Sequence, residues 1–144
     1  MTRSGLTSRP MRLRGTGGQL ADGDRFGEYE VRSLLGEGGM GRVYRAVGPG
    51  AEEVALKVLR PELAGDEPFR KRFVREAAVA ARVDHPHVVT TLEHGDVQGT
   101  LYLTQRFIPG GSLDERIGRQ GPLPLQKVVR IGLEVAAGLD AMHR

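Results

Sequence analysis

Three glycines at a fixed spacing are the first feature of the sequence that predicts chemistry. Residues 35–43 read Leu-Gly-Glu-Gly-Gly-Met-Gly-Arg-Val, which contains the pattern G-x-G-x-x-G at Gly36, Gly38 and Gly41. Such a loop can lay backbone N–H groups over phosphates, because no Cβ blocks the approach. Dinucleotide-binding folds carry the same glycines but open a helix there, whereas residues 42–47 favour a strand. We therefore expect a phosphate-binding hairpin, the alternative being a plain glycine-rich surface hairpin.

A lysine on the next predicted strand is the second chemical signal. Alternation with period two over residues 53–59 puts Ala55 and Lys57 on the same face of the strand. The opposite face carries the larger apolar residues Val54, Leu56 and Val58. A lysine beside a small alanine on a packed strand requires an anion, and a nucleotide phosphate can supply it. The alternative is an edge-strand lysine whose stem covers apolar surface while its ammonium stays in water.

A carboxylate on the following helix is the predicted partner of that lysine. The helix predicted for residues 67–83 begins after the N-cap Asp66, and Glu76 falls in the middle of its apolar stripe. A carboxylate that faces a core is costly unless a cation pairs with it. We therefore predict an ion pair between Lys57 and Glu76. The alternative is that Glu76 lies on the exposed shoulder of the stripe and pairs with Arg72, four residues earlier.

Composition and charge exclude several classes of function. The chain has 144 residues, no cysteine and a net charge of +3, so disulfides, thiolate metal sites and thiol catalysis are excluded. Residues 1–25 hold five arginines against two aspartates, which is the whole basic excess. We predict that they form a disordered basic tail and that the folded part does not bind nucleic acid. No apolar run is long enough for a membrane segment and no signal peptide is evident, so we expect a cytoplasmic chain.

The order of the predicted elements indicates an α+β fold. Strands are predicted for residues 29–35, 42–47, 53–59, 88–92 and 100–108, with the helix 67–83 after the third strand and a turn at 95–99. This order predicts a five-stranded antiparallel sheet with one long helix packed on it. After the linker 109–111, Ser112 and Glu115 form a capping box for a short helix. An amphipathic helix then runs from Leu125 to Arg144.

Five motifs occur in a fixed order along the chain. They are the glycine-rich run 34–46, the segment 54–57, the segment 75–77, the run 84–89 and the run 109–113. Together they resemble the N-terminal part of a bacterial eukaryotic-like Ser/Thr protein kinase. The resemblance covers residues 25–144. It implies a protein-kinase-like small lobe at 26–108, followed at 109–144 by the linker and the first two helices of an incomplete large lobe.

The resemblance implies that the chain carries an ATP site. Lys57, oriented by Glu76, would hold the α- and β-phosphates, while Val43 and Ala55 would enclose the adenine from above. The loop residues implied in nucleotide binding are Leu35, Gly36, Gly38, Gly39 and Gly41. ATP and a protein substrate are therefore the implied partners, and ATP with Mg²⁺ are the cofactors of the family.

The hinge of such a site would lie in residues 105–108. The backbone at Arg106 and Ile108 would bond the edge of the adenine, and Leu113 would lie near the lower side of the base. Gln105 falls at the gatekeeper position, and Arg106 stands where the family often has an acid. These two departures concern selectivity at the adenine site and leave backbone bonding intact.

The motifs of the catalytic half are missing from the sequence. H-R-D-x-x-x-x-N, D-F-G and A-P-E do not occur, although they supply the catalytic Asp and the Mg²⁺ ligands of the family. His143-Arg144 lies on the last predicted helix, so we do not take it as the start of H-R-D. We therefore expect no catalytic residue and no metal site in this chain, and no phosphoryl transfer by the chain alone.

Three hypotheses fit this pattern. The first is a Ser/Thr kinase truncated in its coding sequence. The second is a non-catalytic nucleotide-binding or interaction module that pairs with another kinase through its small lobe. The third is a gene remnant. The apolar stripe of the last helix favours the first, because a selected module would cap or polarise such a face.

Overall fold

The computed structural model describes residues 18–144, so the predicted tail lies outside this range for residues 1–17. The elements are β1 Arg25–Phe26, β2 Tyr29–Glu37, β3 Gly41–Val47, β4 Glu53–Leu59, α1 Pro61–Ala64, α2 Glu67–Ala80, β5 Thr91–Val97, β6 Thr100–Arg106, α3 Leu113–Gln120 and α4 Leu125–His143. The strands form one antiparallel sheet in the order β1-β2-β3-β4-β6-β5. The predicted α+β class is confirmed, with the two-residue β1 as an additional strand.

One face of the sheet carries the hydrophobic core. The large side chains that are fully buried there include Phe26, Val31, Tyr44, Val54 and Leu56. The rings of Phe26 and Tyr29 meet Tyr102 edge to face, with centroids 5.5 and 6.0 Å apart. Burial of the phenol and its hydrogen bond to Glu93 raise the pKa of Tyr29 to about 12. The curled sheet therefore buries its apolar face largely against its own strands.

The core extends further toward the N-terminus than the sequence predicted. Leu20 is buried, and its backbone N–H donates to the Tyr44 hydroxyl at 3.1 Å. Gly23 N–H donates to the carbonyl of Val31 at 2.8 Å. The disordered tail predicted for residues 1–25 therefore does not extend over residues 20–25. Isolated apolar residues among Gly and Asp carry no periodic signal, which is why this contact was missed.

The β5–β6 hairpin is shifted relative to the prediction. β5 continues to Val97, beyond the predicted strand end at Leu92, and the turn consists of Gln98 and Gly99. These two residues have φ values of 50° and 84°, as a type I′ hairpin turn requires. The Asp96 carboxylate accepts a hydrogen bond from the Gly99 N–H at 2.7 Å and holds the turn. The predicted strand 88–92 and the predicted turn 95–99 are therefore wrong in position.

The helix starts follow the predicted caps. Asp66 accepts a hydrogen bond from the Phe69 N–H at 3.3 Å, and Ser112 and Glu115 form the predicted capping box. α2 ends at Ala80, three residues before its predicted end. The short helix α1 was not predicted; Pro61 occupies its first position, where the missing N–H costs nothing.

The last helix packs on the loop that follows α2. Gly138 is buried, and a Cβ at this position would lie 2.8 Å from the carbonyl oxygen of His87. Away from this contact, α4 presents a row of exposed apolar side chains, namely Leu125, Val128, Val129, Leu133, Val135, Leu139 and Met142. We call this row the α4 apolar face.

We expect purified chain 1–144 to associate or to bind a hydrophobic dye through the α4 apolar face, because a contiguous exposed apolar patch drives association. Leu133→Glu removes a side chain whose residue is 68% exposed, and it should lower dye fluorescence and oligomer content. Gln126→Glu adds the same charge at an exposed polar position of the helix and serves as the control. A monodisperse unsubstituted chain that binds no dye would contradict this expectation.

Candidate functional site

Cross-strand pairing gathers the predicted nucleotide-binding side chains on one face of the sheet. Lys57 in β4 is the register partner of Val43 in β3 and of Leu103 in β6. Ala55 in β4 pairs in the same way with Gln105. Directly paired residues of antiparallel strands point to the same side. Val43, Ala55 and Lys57 therefore lie together, and we call their surface the Lys57 face.

The Lys57 face is the reverse of the face that carries the core. Val54 and Leu56 are fully buried, whereas Ala55 and Lys57 are half-buried. The alternation predicted for β4 is therefore confirmed. Lys57 forms no ion pair within residues 18–144. A half-buried cation without a protein counter-charge is available to an anion from outside the chain.

The glycine-rich turn joins β2 to β3 beside the Lys57 face. Gly38 N–H donates to the carbonyl of Gly41 at 2.9 Å and closes the turn. A Cβ built on Gly36, Gly38 or Gly39 would meet nothing within 4 Å, and none of these three has a left-handed φ. Neither internal packing nor backbone conformation therefore requires glycine at these three positions. Their lack of side chains leaves the backbone open to a close external approach.

Gly41 has a different physical reason to be glycine. A Cβ at this position would lie 2.1 Å from the carbonyl oxygen of Val58 and 2.9 Å from the Cα of Leu59. Gly41 is buried at the start of β3, where it pairs with Leu59. This glycine therefore allows β3 and β4 to approach each other, a packing role that its place in the motif did not predict.

The turn is fastened to the end of β4 by arginine contacts. The Arg60 guanidinium donates to the carbonyl of Gly38 at 3.3 Å, and the Arg60 N–H donates to the carbonyl of Met40 at 2.9 Å. Glu37 lies 3.0 Å from Arg42 and 3.8 Å from Arg60. These contacts tie the glycine-rich turn to the end of β4.

Glu76 does not occupy the predicted position opposite Lys57. Its side chain is 66% exposed, and its Oε1 lies 3.9 Å from Nε of Arg72, four residues earlier. The side of α2 that is buried is centred on Ala77, with Phe73 half-buried one turn before it. Glu76 precedes Ala77 by one residue and is rotated from it by about 100°. The predicted Lys57–Glu76 ion pair is therefore wrong for this arrangement, and the alternative pair with Arg72 is the one observed.

An ion pair at the other end of α2 fixes the helix against the sheet. Arg70 Nη1 lies 2.7 Å from Oδ2 of Asp96, which belongs to β5. This hydrogen bond, together with the one from the Gly99 N–H, lowers the pKa of the Asp96 carboxyl. The buried Ala77 and the Arg70–Asp96 pair therefore hold α2 in this position, while Glu76 pairs with Arg72 instead of Lys57.

The predicted hinge follows the end of β6. Arg106 is the last residue of that strand, and its N–H donates to the carbonyl of Thr90 at 3.0 Å. Ile108 lies beyond the strand and is exposed, and Leu113 is the exposed first residue of α3. Leu35 is likewise exposed beside the glycine-rich turn. The adenine-binding roles of these four residues stay predictions.

A partly open cavity of about 170 Å³ lies on the core side of the sheet, and Lys57 is not among its lining residues. Its walls include Leu20, Phe26, Tyr44 and Val58. These residues belong to the core or pack against it. We therefore do not assign nucleotide binding to this cavity. The charge of Lys57 lies on the opposite face of the sheet, beside the exposed backbone of the glycine-rich turn.

Comparison with known proteins agrees with the geometry. The protein kinase domain model matches residues 29–144. Serine/threonine-protein kinase PknH of Mycobacterium tuberculosis is 42% identical over 122 residues, which cover 84% of this chain and 20% of PknH. PknE of the same organism is 42% identical over 123 residues, which cover 85% of this chain and 22% of PknE.

The fold is also similar to solved structures of kinase domains. The crystal structure of the Mycobacterium tuberculosis PknI kinase domain aligns with a TM-score of 0.75 at 38% identity, covering 88% of this chain and 53% of that one. A twisted antiparallel sheet with a glycine-rich turn and a strand lysine is the small lobe of a kinase fold. The chain belongs to the protein kinase family, and the relatives named above are Ser/Thr protein kinases. It spans about a fifth of the length of the curated relatives it matches.

Residues 18–144 contain neither a metal-binding cluster nor a helix that could cross a membrane. Protein kinases as a family use ATP and Mg²⁺. Residues 18–144 contain no cluster of three or more His, Asp and Glu side chains that could hold a metal ion. None of the helices in the described part of the chain has the length and apolarity needed to cross a membrane.

Gly41→Ala should lower the free energy of unfolding by about 1–3 kcal/mol, because its Cβ would collide with the backbone of β4. Gly38→Ala is the matched control and should change stability by less than about 0.5 kcal/mol, since its Cβ enters open space. Urea unfolding of both variants measures the difference. Equal destabilisation by the two substitutions would contradict the packing role of Gly41.

Asp96→Asn should remove part of the acid sensitivity of the fold. The pKa of Asp96 is lowered in the folded chain from an ordinary value of 3.8. Its ionised form therefore stabilises the fold above that value, and this stabilisation is lost as the pH falls through the lowered pKa. The unsubstituted chain should lose stability below about pH 4, and Asp96→Asn should lose less over the same range.

Thermal unfolding between pH 3 and 6 measures this effect. Asp140→Asn, which removes a carboxylate paired with Arg144 at the end of α4, is the control and should follow the unsubstituted chain. An Asp96→Asn variant with the full acid-dependent loss would contradict the assignment to the Arg70–Asp96 pair.

Proposed function

We propose that residues 29–144 form the ATP-binding half of a Ser/Thr protein kinase domain, with the Lys57 face as the nucleotide site. One observation carries the proposal. A half-buried lysine without a protein counter-charge lies in register with Val43 on the face beside a glycine-rich turn whose backbone is uncovered. No other cation of the predicted strands combines these properties in the described part of the chain. Phosphate groups supply the negative charge that this arrangement lacks.

The phosphates would be bound from two sides. The ammonium of Lys57 would make charge-assisted hydrogen bonds to the α- and β-phosphate oxygens. The backbone N–H groups at Gly36, Gly38 and Gly39 would approach the same phosphates from above, since no Cβ stands between them. Gly41 contributes to this site by keeping β3 against β4.

The base would lie against the apolar part of the same face. Val43, in the same cross-strand row as Lys57, and Ala55, one row away from it, offer an apolar surface. The exposed side chains of Leu35 and Leu113 would flank the base and be covered by it. The peptide groups of residues 106–108, which begin at the last residue of β6, would bond the edge of the adenine. These roles require only backbone and apolar groups, so the unusual Gln105 and Arg106 do not prevent them.

Glu76 would join the site only after α2 moves. In the structure its carboxylate pairs with Arg72 and faces solvent. Turning the helix about its axis would bring Glu76 toward Lys57 and disturb the contact of Arg70 with Asp96. We therefore assign the present arrangement to a state in which Lys57 is not yet oriented by its carboxylate partner.

Phosphoryl transfer to protein substrates would require the catalytic half of the domain. The sequence contains neither the catalytic Asp nor the metal-binding motifs, so chain 1–144 would bind ATP without transferring its phosphate. The proposal includes protein substrates for the complete kinase domain and a second small lobe as a pairing partner. It also includes a cytoplasmic location, because ATP is held inside the cell.

Lys57→Ala should weaken binding of the ATP analogue AMP-PNP to chain 1–144 by about tenfold or more, since a charge-assisted hydrogen bond contributes about 1.5–3 kcal/mol. Lys71→Ala, which removes an exposed lysine paired with Glu67 on α2, is the control and should bind normally. Titration calorimetry measures both variants, and an assay with radiolabelled ATP should show no transfer to a protein substrate. Unchanged AMP-PNP affinity in Lys57→Ala would refute the assigned site.

A further inference from the structure

Arg45 lies beside the base-binding part of the Lys57 face. It is the register partner of Ala55, which in turn pairs with Gln105. Arg45, Ala55 and Gln105 therefore form one row across β3, β4 and β6 on the face that carries Lys57. This row leads directly to the end of β6, where the predicted hinge begins.

Two contacts fix the Arg45 side chain. Its Nε donates to Oε1 of Glu53 at 3.0 Å, and its Nη2 contacts the same oxygen. Its guanidinium carbon lies 5.1 Å from the centroid of the Phe107 ring, within the range of a cation–π interaction. Phe107 is the first residue after β6. Side chains from β3 and β4 thus hold a ring that belongs to the segment beyond the sheet.

We propose that Arg45 is a positioning residue for the backbone that binds the base of an adenine nucleotide. The peptide groups on both sides of Phe107 belong to the segment 106–108, and this segment has no strand partner beyond Arg106. Clamping the Phe107 ring under the guanidinium fixes these peptide groups relative to Ala55. Glu53 contributes by holding the guanidinium in place. The inference rests on the proposed function, because it assigns the clamp a purpose at the base of the nucleotide.

Two measurements on chain 1–144 test this assignment. Without ligand, Arg45→Ala should speed amide hydrogen exchange at Phe107 and Ile108 while exchange in β4 stays unchanged. With ligand, Arg45→Ala should raise the Kd of AMP-PNP by about two- to fivefold, which corresponds to the loss of one exposed cation–π contact. The Kd of inorganic tripolyphosphate, which has no base, should not change.

Matched variants separate the clamp from a general effect on charge or folding. Arg32→Ala removes another exposed arginine from an ion pair, with Glu30 at 2.9 Å on β2, and should affect neither measurement. Arg45→Lys keeps a cation near the ring and should recover part of the AMP-PNP affinity. Phe107→Leu should weaken AMP-PNP binding as Arg45→Ala does, and the double variant should be no weaker than either single one.

The outcomes distinguish this inference from the function on which it rests. If AMP-PNP binds the unsubstituted chain and Arg45→Ala changes neither its affinity nor the exchange at Phe107, the inference is overturned and the proposed function stands. Equal weakening of AMP-PNP and tripolyphosphate would also overturn it, because the effect would then not concern the base. Absence of AMP-PNP binding in the unsubstituted chain would overturn both.

Discussion

The close approach of β3 to β4 is the constraint on which the rest of the structure depends. Gly41 lies so near the carbonyl of Val58 that no side chain fits between the strands. From that point the register continues to Val47 opposite Glu53. Because strand side chains alternate, this register sends the apolar residues of β4 into the core and Lys57 to the other side. The core and the candidate site are therefore two consequences of one pairing.

The helix α2 is attached to this sheet independently of the site. Arg70 ties it to the β5–β6 hairpin through Asp96, while Glu76 remains paired with Arg72 in solvent. The Lys57 face, which would bind the nucleotide, is thus formed by the sheet alone. The Glu76 carboxylate, which would orient Lys57, pairs with Arg72 instead. Exposed ion pairs such as Arg72–Glu76 contribute little free energy, so this pair presents only a small barrier to a change of partner.

Period-two alternation was enough to predict the strands around Lys57 and the face on which it lies. Glu76 was misplaced because the stripe of α2 was centred on it, whereas the small Ala77 is the residue that makes the close contact. The β5–β6 turn was missed because Gln98 adopts a left-handed φ that its residue type does not indicate. The packing role of Gly41 and the clamp of Arg45 on Phe107 depend on contacts between distant segments, which no local pattern contains.

Nucleotide binding at the Lys57 face is tested most directly by following the backbone amide signals of chain 1–144 during titration with AMP-PNP. If the nucleotide binds at the Lys57 face, the largest shifts will occur at residues 36–41, at Lys57 and at Ile108. Shifts confined to Leu20, Phe26 and Thr100, which line the cavity on the core side of the sheet, would contradict it.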